Sequence, residues 1–335
     1  MVKNLVNLDK SAKETAEAIT SLRNEVRKVI FGQDKAVNSL ITALICNGNV
    51  LIEGVPGIGK TLLIKSMAQA SGCDFKRIQF TVDLLPSDIL GLTTYDPKKG
   101  FETIKGPVFA NFVIADEINR SPPKTQSAFM EAMQERQVTI GKETFVLPNP
   151  FFVMASQNPI ESEGVYDLPD AQIDRFLLKV NMGYPKMEEE KLIMETNNTF
   201  KKFEDYNLKR ILSPKKILDL QKLVHQVYLD DKIKSYIVEI VNKTREKDFK
   251  YKGYIDMGAS PRASISIFIT SKANALINGR TFVIPQDVKD VVGDVLRHRI
   301  SLSYRAMADK IDADKIIEEI LKIVKVPESP SRFKK

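Results

Sequence analysis

Residues 54–61, Gly54-Val-Pro-Gly-Ile-Gly-Lys-Thr61, follow the pattern G-x-x-x-x-G-K-[ST] and are the strongest indication of the fold. An apolar run at residues 49–53 precedes it and predicts a strand, while residues 60–70 have helical spacing and predict a helix. A glycine-rich loop between a strand and a helix is typical of a phosphate-binding loop. Backbone N–H groups of such a loop point inward at phosphate oxygens, and the N-terminus of the helix adds partial positive charge.

The residues of this loop form the predicted nucleotide site. Lys60 is expected to reach the β- and γ-phosphates, and the hydroxyl of Thr61 is expected to ligate Mg²⁺. The predicted contacts with the nucleotide come from Gly54, Val55, Pro56, Gly57, Ile58, Gly59, Lys60 and Thr61. The sequence therefore predicts ATP and Mg²⁺ as the bound species.

Two carboxylates follow a second apolar strand, Phe112-Val-Ile-Ala, as Asp116 and Glu117. Ligands bind at the edge of a parallel sheet where the carboxyl ends of its strands meet. A carboxylate there suits the hydration shell of Mg²⁺, and a second one can polarise an attacking water. We therefore expect Asp116 to be a metal residue and Glu117 to be the catalytic base.

A third apolar strand, residues 151–156, leads to Asn158. A neutral amide at the end of a buried strand can hold the attacking water together with Glu117. Asn158 is therefore a candidate catalytic residue.

Arginine stabilises the charge that develops in phosphoryl transfer, supplied by the same chain or by another. Arg175, Arg262 and Arg120 are the candidates. Arg262 falls in the first turn of a predicted helix, after Ser260 and Pro261, where a cation opposes the helix dipole. This unfavourable placement indicates that Arg262 binds a ligand.

Composition excludes several other classes of protein. The 335 residues include only two Cys and two His, so a disulfide framework, a four-cysteine zinc site and a histidine-based metal enzyme are not expected. No apolar run approaches the length of about 18 residues that a membrane span needs. The N-terminus lacks the apolar core of a secretory signal, and a cytoplasmic location is expected. Residues 1–184 carry 20 Lys and Arg against 21 Asp and Glu, and residues 185–335 carry 30 against 22.

Strands alternate with helices up to residue 184, and helical patterns dominate beyond it. The alternation predicts an α/β core with a parallel sheet and helices on both faces, followed by an all-α domain. Turn residues within residues 95–105 and 137–147 predict two hairpins. The expected divisions are an N-terminal helical extension at 1–29, the core at 30–184, the helical domain at 185–327 and a tail at 328–335.

These motifs, in this order, resemble the AAA+ ATPases and, within them, the MoxR family. The resemblance covers about residues 30–300. It rests on the phosphate loop and on FGQ at 31–33, FTVDLLPSDILG at 80–91, DEINRSPPKTQSA at 116–128, ASQNP at 155–159, LPDAQIDRF at 168–176 and GASPRA at 258–263. It implies a P-loop AAA+ core followed by a helical lid.

The resemblance also implies roles for individual residues. Residues 54–61 would be the Walker A motif, Asp116 and Glu117 would form Walker B, and Asn158 would be sensor 1. Arg175 would be an arginine finger that acts on a neighbouring subunit, and Arg262 would be sensor 2 in the lid of the same chain. Ile30 and Phe31 would contact the adenine. Residues 84–105 would be the helix-2 insert and 137–147 the pre-sensor-1 hairpin, both facing a central pore. The family forms rings, usually hexamers, that remodel proteins, and its usual partners carry von Willebrand factor A domains.

Other uses of the same fold remain open at this point. A nucleic-acid motor would suit the basic C-terminal part, although no aromatic and basic stripe accompanies it and nucleic acid is not the expected partner. A chelatase-type motor subunit shares the fold. A regulatory module that binds ATP without turnover is disfavoured by the intact Glu117, Asn158 and Arg175.

Overall fold

Apolar strands in the first half of the chain pair into one parallel sheet. A computed structural model of the chain describes residues 2–158, 165–196 and 202–327. Its strands, in chain order, are β1 (Val50–Gly54), β2 (Phe75–Gln79), β3 (Gly91–Asp96), β4 (Gly100–Lys105), β5 (Phe112–Asp116), β6 (Gln137–Ile140), β7 (Glu143–Val146), β8 (Phe152–Gln157), β9 (Leu178–Met182), β10 (Ile255–Met257) and β11 (Ser301–Leu302). Five of them form the sheet in the order β2-β5-β8-β1-β9, and every neighbouring pair is parallel.

Helices flank this sheet and dominate the second half of the chain. In chain order they are α1 (Val2–Val26), α2 (Asp34–Ile45), α3 (Lys60–Ala70), α4 (Pro86–Leu90), α5 (Pro123–Glu135), α6 (Asp170–Ile173), α7 (Met187–Thr196), α8 (Pro214–Gln226), α9 (Asp231–Lys243), α10 (Pro261–Ile277), α11 (Pro285–Leu296), α12 (Tyr304–Ala308) and α13 (Ala313–Ile323). The predicted α/β core with a parallel sheet, followed by a helical region, is confirmed. None of the helices within the described ranges is long and apolar enough to cross a membrane.

The strand β5, which lies between β2 and β8, is buried along its whole length because both of its faces are covered. Phe112 and Ile114 belong to one apolar cluster, and Val113 and Ala115 belong to a second one. Successive side chains of a strand point to opposite faces, so the two clusters lie on opposite sides of the sheet. This explains why the strand reads as a continuous apolar run in the sequence.

The N-terminal helix α1 is part of the core packing. Its side chains Ile19, Leu22 and Val26 are fully buried and share an apolar cluster with residues of α3 and α10. The helix therefore packs against elements on both sides of residue 184. The divisions at residues 29 and 184 stay predictions of the sequence.

Both predicted hairpins occur. β3 pairs with β4, starting four residues earlier than expected, and β6 pairs with β7; both pairs are antiparallel. The first hairpin exposes Tyr95 and Phe101, whose rings contact each other edge to face with centroids 5.2 Å apart. The hairpins thus present apolar as well as polar surface.

Some elements of the second half were not predicted. β10 and β11 pair antiparallel, and α12 and α13 follow them. Strands of two or three residues are too short to produce an alternating pattern. The helix α7 is described up to Thr196, and the tail expected at 328–335 lies outside the described residues.

Three consecutive side chains after α11 bind the edge of the sheet. Arg297 donates from Nη1 to the carbonyl of Lys179, Nε2 of His298 lies 3.0 Å from the carbonyl of Phe176, and Arg299 donates from Nη1 to the carbonyl of Leu177 at 3.1 Å. Lys179 belongs to the edge strand β9, while Phe176 and Leu177 directly precede it. Side chains of the helical region thus bind the start of this edge strand and join the two parts of the chain.

His298 is half-buried in this contact, and the partner of Nε2 decides which ring nitrogen carries the proton. A carbonyl only accepts, so Nε2 carries the hydrogen, and the buried Nδ1 has no hydrogen-bond partner among the described residues. Burial, and next the charge of Arg299, hold the pKa of His298 well below its usual value. The imidazole is therefore neutral in the folded protein.

This neutral histidine predicts a loss of stability in mild acid. The folded pKa lies below the unfolded value of about 6.5, so the stabilisation is complete above that pH and is lost as the pH falls through it. Urea unfolding should show a free energy of unfolding that drops by about 1 kcal/mol from pH 6.5 to 5.5. His298→Gln should flatten this slope, whereas His225→Gln, at an exposed position of α8, should leave it unchanged. Equal slopes in all three proteins would contradict the assignment.

Candidate active site

The phosphate loop leaves β1 at Gly54 and enters α3 at Lys60. Gly57 and Gly59 have φ of 80° and 92°, the left-handed region that glycine adopts at no steric cost. A Cβ built at either glycine meets no atom within 4 Å, so there is open space beside both glycines. Nζ of the buried Lys60 donates to the carbonyl of Gly54 at 2.7 Å, which curls the loop around the lysine. This cradle fits a phosphate group.

The carboxylate of Asp116 lies at the end of β5, held by side chains of two neighbouring strands. Ser156 on β8 donates from Oγ to Asp116 Oδ1 at 2.6 Å, and Arg77 on β2 donates from Nη2 to Asp116 Oδ2 at 2.7 Å. The residue is only 7% exposed. Burial and two donors fix the position of a carboxylate that is one residue from the candidate base.

Glu117 has a left-handed backbone, with φ 56° and ψ 50°. Such a conformation is uncommon for a residue other than glycine and costs about 1 kcal/mol or more. Its N–H donates to Oγ of Ser156 at 3.0 Å, so the hydroxyl of Ser156 joins both acidic residues. Its Oε2 accepts from Nε2 of Gln79 at 3.0 Å and lies 3.3 Å from Nε of Arg120.

Arg77, Gln79 and Ser156 were missed by the sequence argument. Gln79 pairs in register with Asp116, and Ala115 pairs with Ala155, the residue before Ser156. The sequence does contain a signal for two of them, since Arg77 and Gln79 are polar residues on either side of Ile78 at the end of a strand and therefore share one face of it. The order of strands in the sheet is needed to see which residues they meet.

The remaining predicted site residues lie at strand and helix ends. Asn158 is buried just after β8, next to the strand that carries Asp116. Ile30 is buried and Phe31 is half-buried after α1. Nε2 of the nearby Gln33 donates to the carbonyl of Gly183 at 2.9 Å, which brings this segment beside the start of the helical region.

The three candidate arginines have different surroundings. Arg175 follows α6 and is exposed, and no side-chain partner is recorded for it in the described part of the chain. Arg262 lies in the first turn of α10, where its Nη1 is 3.0 Å from Oδ2 of Asp174. Arg120 contacts the candidate base Glu117 of its own chain. The ligand expected for Arg262 from the sequence is thus, in this structure, a carboxylate of the core.

The donor set fits a magnesium ion shared with phosphates. Within residues 2–158, 165–196 and 202–327, no cluster of three or more His, Cys, Asp or Glu is placed to hold a metal by itself. Mg²⁺ keeps several waters and takes one or two carboxylates together with phosphate oxygens. Thr61 at the start of α3 and Asp116 at the end of β5 are ligands of the kind that this mode requires.

Both halves of the chain match known domain families. Residues 49–178 match the ATPase family associated with various cellular activities (AAA), and residues 252–320 match the AAA lid domain. The crystal structure of a protein from Cytophaga hutchinsonii predicted to be an ATPase superimposes with a TM-score of 0.89 at 42% identity, covering 97% of this chain and 99% of that one.

Relatives that match over most of their length show which family of AAA proteins the chain resembles. The chain is 46% identical over 309 residues to the chaperone MoxR1 of Mycobacterium tuberculosis, which covers 91% of this chain and 81% of that protein. It is 45% identical over 304 residues to the uncharacterized protein YeaC of Bacillus subtilis, covering 90% of this chain and 92% of that protein. The chain belongs to the MoxR family of AAA+ ATPases.

Proposed function

We propose that this ATPase hydrolyses ATP with Mg²⁺ as a subunit of a ring, most simply a hexamer, and uses the energy to remodel or activate a partner protein. One observation carries the proposal. The phosphate loop, the pair Asp116 and Glu117, and Asn158 follow three adjacent parallel strands, β1, β5 and β8. Parallel strands end at the same edge of the sheet, so phosphate-binding and water-activating groups share that edge.

Different residues at this edge bind the phosphates, hold the metal and activate the water. The loop N–H groups and Lys60 bind the β- and γ-phosphates, while Thr61 and Asp116 hold Mg²⁺. A bound Mg²⁺ neutralises charge on the phosphate oxygens. Glu117 takes the proton of the attacking water, and Asn158 orients that water. Ile30 and Phe31 border the adenine.

The arginines support the proposal of a ring. Arg175 is exposed between α6 and β9 and is proposed to reach the nucleotide of a neighbouring subunit, as an arginine finger. Arg262 is proposed to act as sensor 2 on the nucleotide of its own chain. Arg120 is a weaker candidate for the finger, because it contacts Glu117 within its own chain.

The proposed partner is a protein with a von Willebrand factor A domain. Support comes from the family, one of whose members bears the name chaperone. The β3–β4 and β6–β7 hairpins are proposed to face the central pore, where the exposed Tyr95 and Phe101 offer apolar contacts to a client.

Two substitutions separate nucleotide binding from turnover. Lys60→Ala removes the charge that meets the phosphates and should abolish measurable ATP binding. Glu117→Gln keeps shape but cannot accept a proton, so ATP binding should persist while turnover falls by at least about 100-fold. Calorimetry measures ATP binding, and an assay of phosphate release measures turnover. Wild-type turnover by Glu117→Gln would show that another group is the base.

The proposed finger predicts that activity depends on assembly. Arg175→Ala should bind ATP nearly normally and lose activity by a factor on the order of 10³ or more. Excess Lys60→Ala subunits should restore activity, because they lack a working site but still offer Arg175 to their neighbour. The matched control is the double variant Lys60→Ala with Arg175→Ala, which should restore nothing. Absence of rescue in rings shown to exchange subunits would exclude action in trans.

The basic C-terminal part is not expected to bind nucleic acid tightly. Its 30 basic residues are interspersed with 22 acidic ones along the sequence, which disfavours a continuous basic surface. Fluorescence anisotropy with duplex and single-stranded probes near physiological salt should show no submicromolar binding. Tight binding that weakens steeply with salt would instead favour a nucleic-acid motor.

A further inference from the structure

Arg299 is an arginine with no assigned role whose hydrogen bonds surround the proposed finger. Its side chain is 2% exposed. Its guanidinium donates from Nε to Asp174 Oδ1 at 2.7 Å, from Nη1 to the carbonyls of Leu177 at 3.1 Å and Val295 at 2.6 Å, and from Nη2 to the carbonyls of Asp174 at 3.1 Å and Phe176 at 2.7 Å. A guanidinium has five N–H donors, and each one finds an acceptor here.

These acceptors lie on both sides of Arg175. The carbonyls of residues 174, 176 and 177 are bound, while the side chain of Arg175 between them stays exposed. His298 approaches the carbonyl of Phe176 as well. The peptide units that present Arg175 are therefore fixed by the end of α11, an element of the helical region.

Asp174 supplies the charge that this arrangement needs. A buried arginine without a partner is strongly destabilising, and Oδ1 of Asp174 is the carboxylate that compensates Arg299. The other oxygen, Oδ2, binds Arg262, whose side chain is 52% exposed. The pair with Arg299 is thus buried and geometrically fixed, whereas the half-exposed pair with Arg262 contributes about 1 kcal/mol or less.

We propose that Asp174 and Arg299 are positioning residues that hold Arg175 in the orientation from which it acts on the neighbouring subunit. The proposal rests on the proposed function, in which Arg175 is the finger in trans. A displacement of a catalytic group by about 1 Å can cost about 100-fold in rate. Loss of the Asp174–Arg299 pair therefore damages the site of the neighbour and leaves nucleotide binding by the altered chain itself intact.

The test is the subunit-mixing assay with Asp174→Asn. Alone, this variant should keep the Kd for ATP within about threefold of wild type and lose kcat by 10- to 100-fold. Excess Lys60→Ala should restore its activity, because the donor brings a correctly held Arg175. The double variant Lys60→Ala with Arg175→Ala should not. A general structural defect in Asp174→Asn would reside in its own site and would resist rescue by any donor.

Asp170→Asn is the matched control. Asp170 begins the same short helix α6, and its carboxylate accepts from Oγ of Ser301 at 2.9 Å, another contact with the helical region. Only its backbone carbonyl bonds to Asp174, from the N–H of that residue at 2.9 Å, and the substitution leaves this backbone bond in place. Its kcat should stay within twofold of wild type. If Asp174→Asn fails to fold, Arg299→Lys replaces it in the same assay, because lysine keeps the charge and loses the five-donor fork.

The outcomes separate the two proposals. Rescue of both Arg175→Ala and Asp174→Asn by Lys60→Ala alone supports the positioning role. Rescue of Arg175→Ala without rescue of Asp174→Asn, or a wild-type kcat for Asp174→Asn, overturns the positioning role and leaves the finger in place. Failure to rescue Arg175→Ala overturns the finger and the positioning role together.

Discussion

Parallel pairing of β1, β5 and β8 is the constraint on which the site depends. The register sets Ala115 beside Ala155 and Gln79 beside Asp116, so polar residues that follow apolar runs far apart in the chain meet at one edge. A slip of one residue would send each of these side chains to the opposite face of the sheet. The buried apolar strands therefore do more than stabilise the core: they fix the positions of the acidic pair and its partners.

The parts of the site that are local in the chain could be predicted from the sequence. The phosphate loop and its helix have strong local signals, and α3 spans the predicted residues 60–70. Arg77, Gln79 and Ser156 could not be predicted in the same way, because their contacts depend on which strands are neighbours. For Arg262 the sequence showed only that a cation at a helix start needs an anion, and the anion lies 88 residues earlier, at Asp174.

The helical region is joined to the core by polar bonds as well as by apolar packing. Arg297, His298 and Arg299 bind backbone carbonyls in the edge strand β9 and in the two residues that precede it. Because the acceptors are backbone carbonyls, the contact requires no particular side chains at residues 176–179. A search of the sequence for complementary charges therefore does not find this contact. Only the fold brings the end of α11 to the edge of β9.

The ion pair between Arg262 and Asp174 also affects ligand selection. In the sensor 2 role proposed for Arg262, an anionic ligand that takes its Nη1 competes with an anion already attached to the same chain, so binding there is an exchange of one anion for another. A ligand with a single diffuse charge gains little from such an exchange, whereas a polyphosphate, with several charges on adjacent oxygens, gains more. Under that proposed role, a ligand gains at Arg262 only the interaction energy by which it exceeds the Asp174 carboxylate that it replaces.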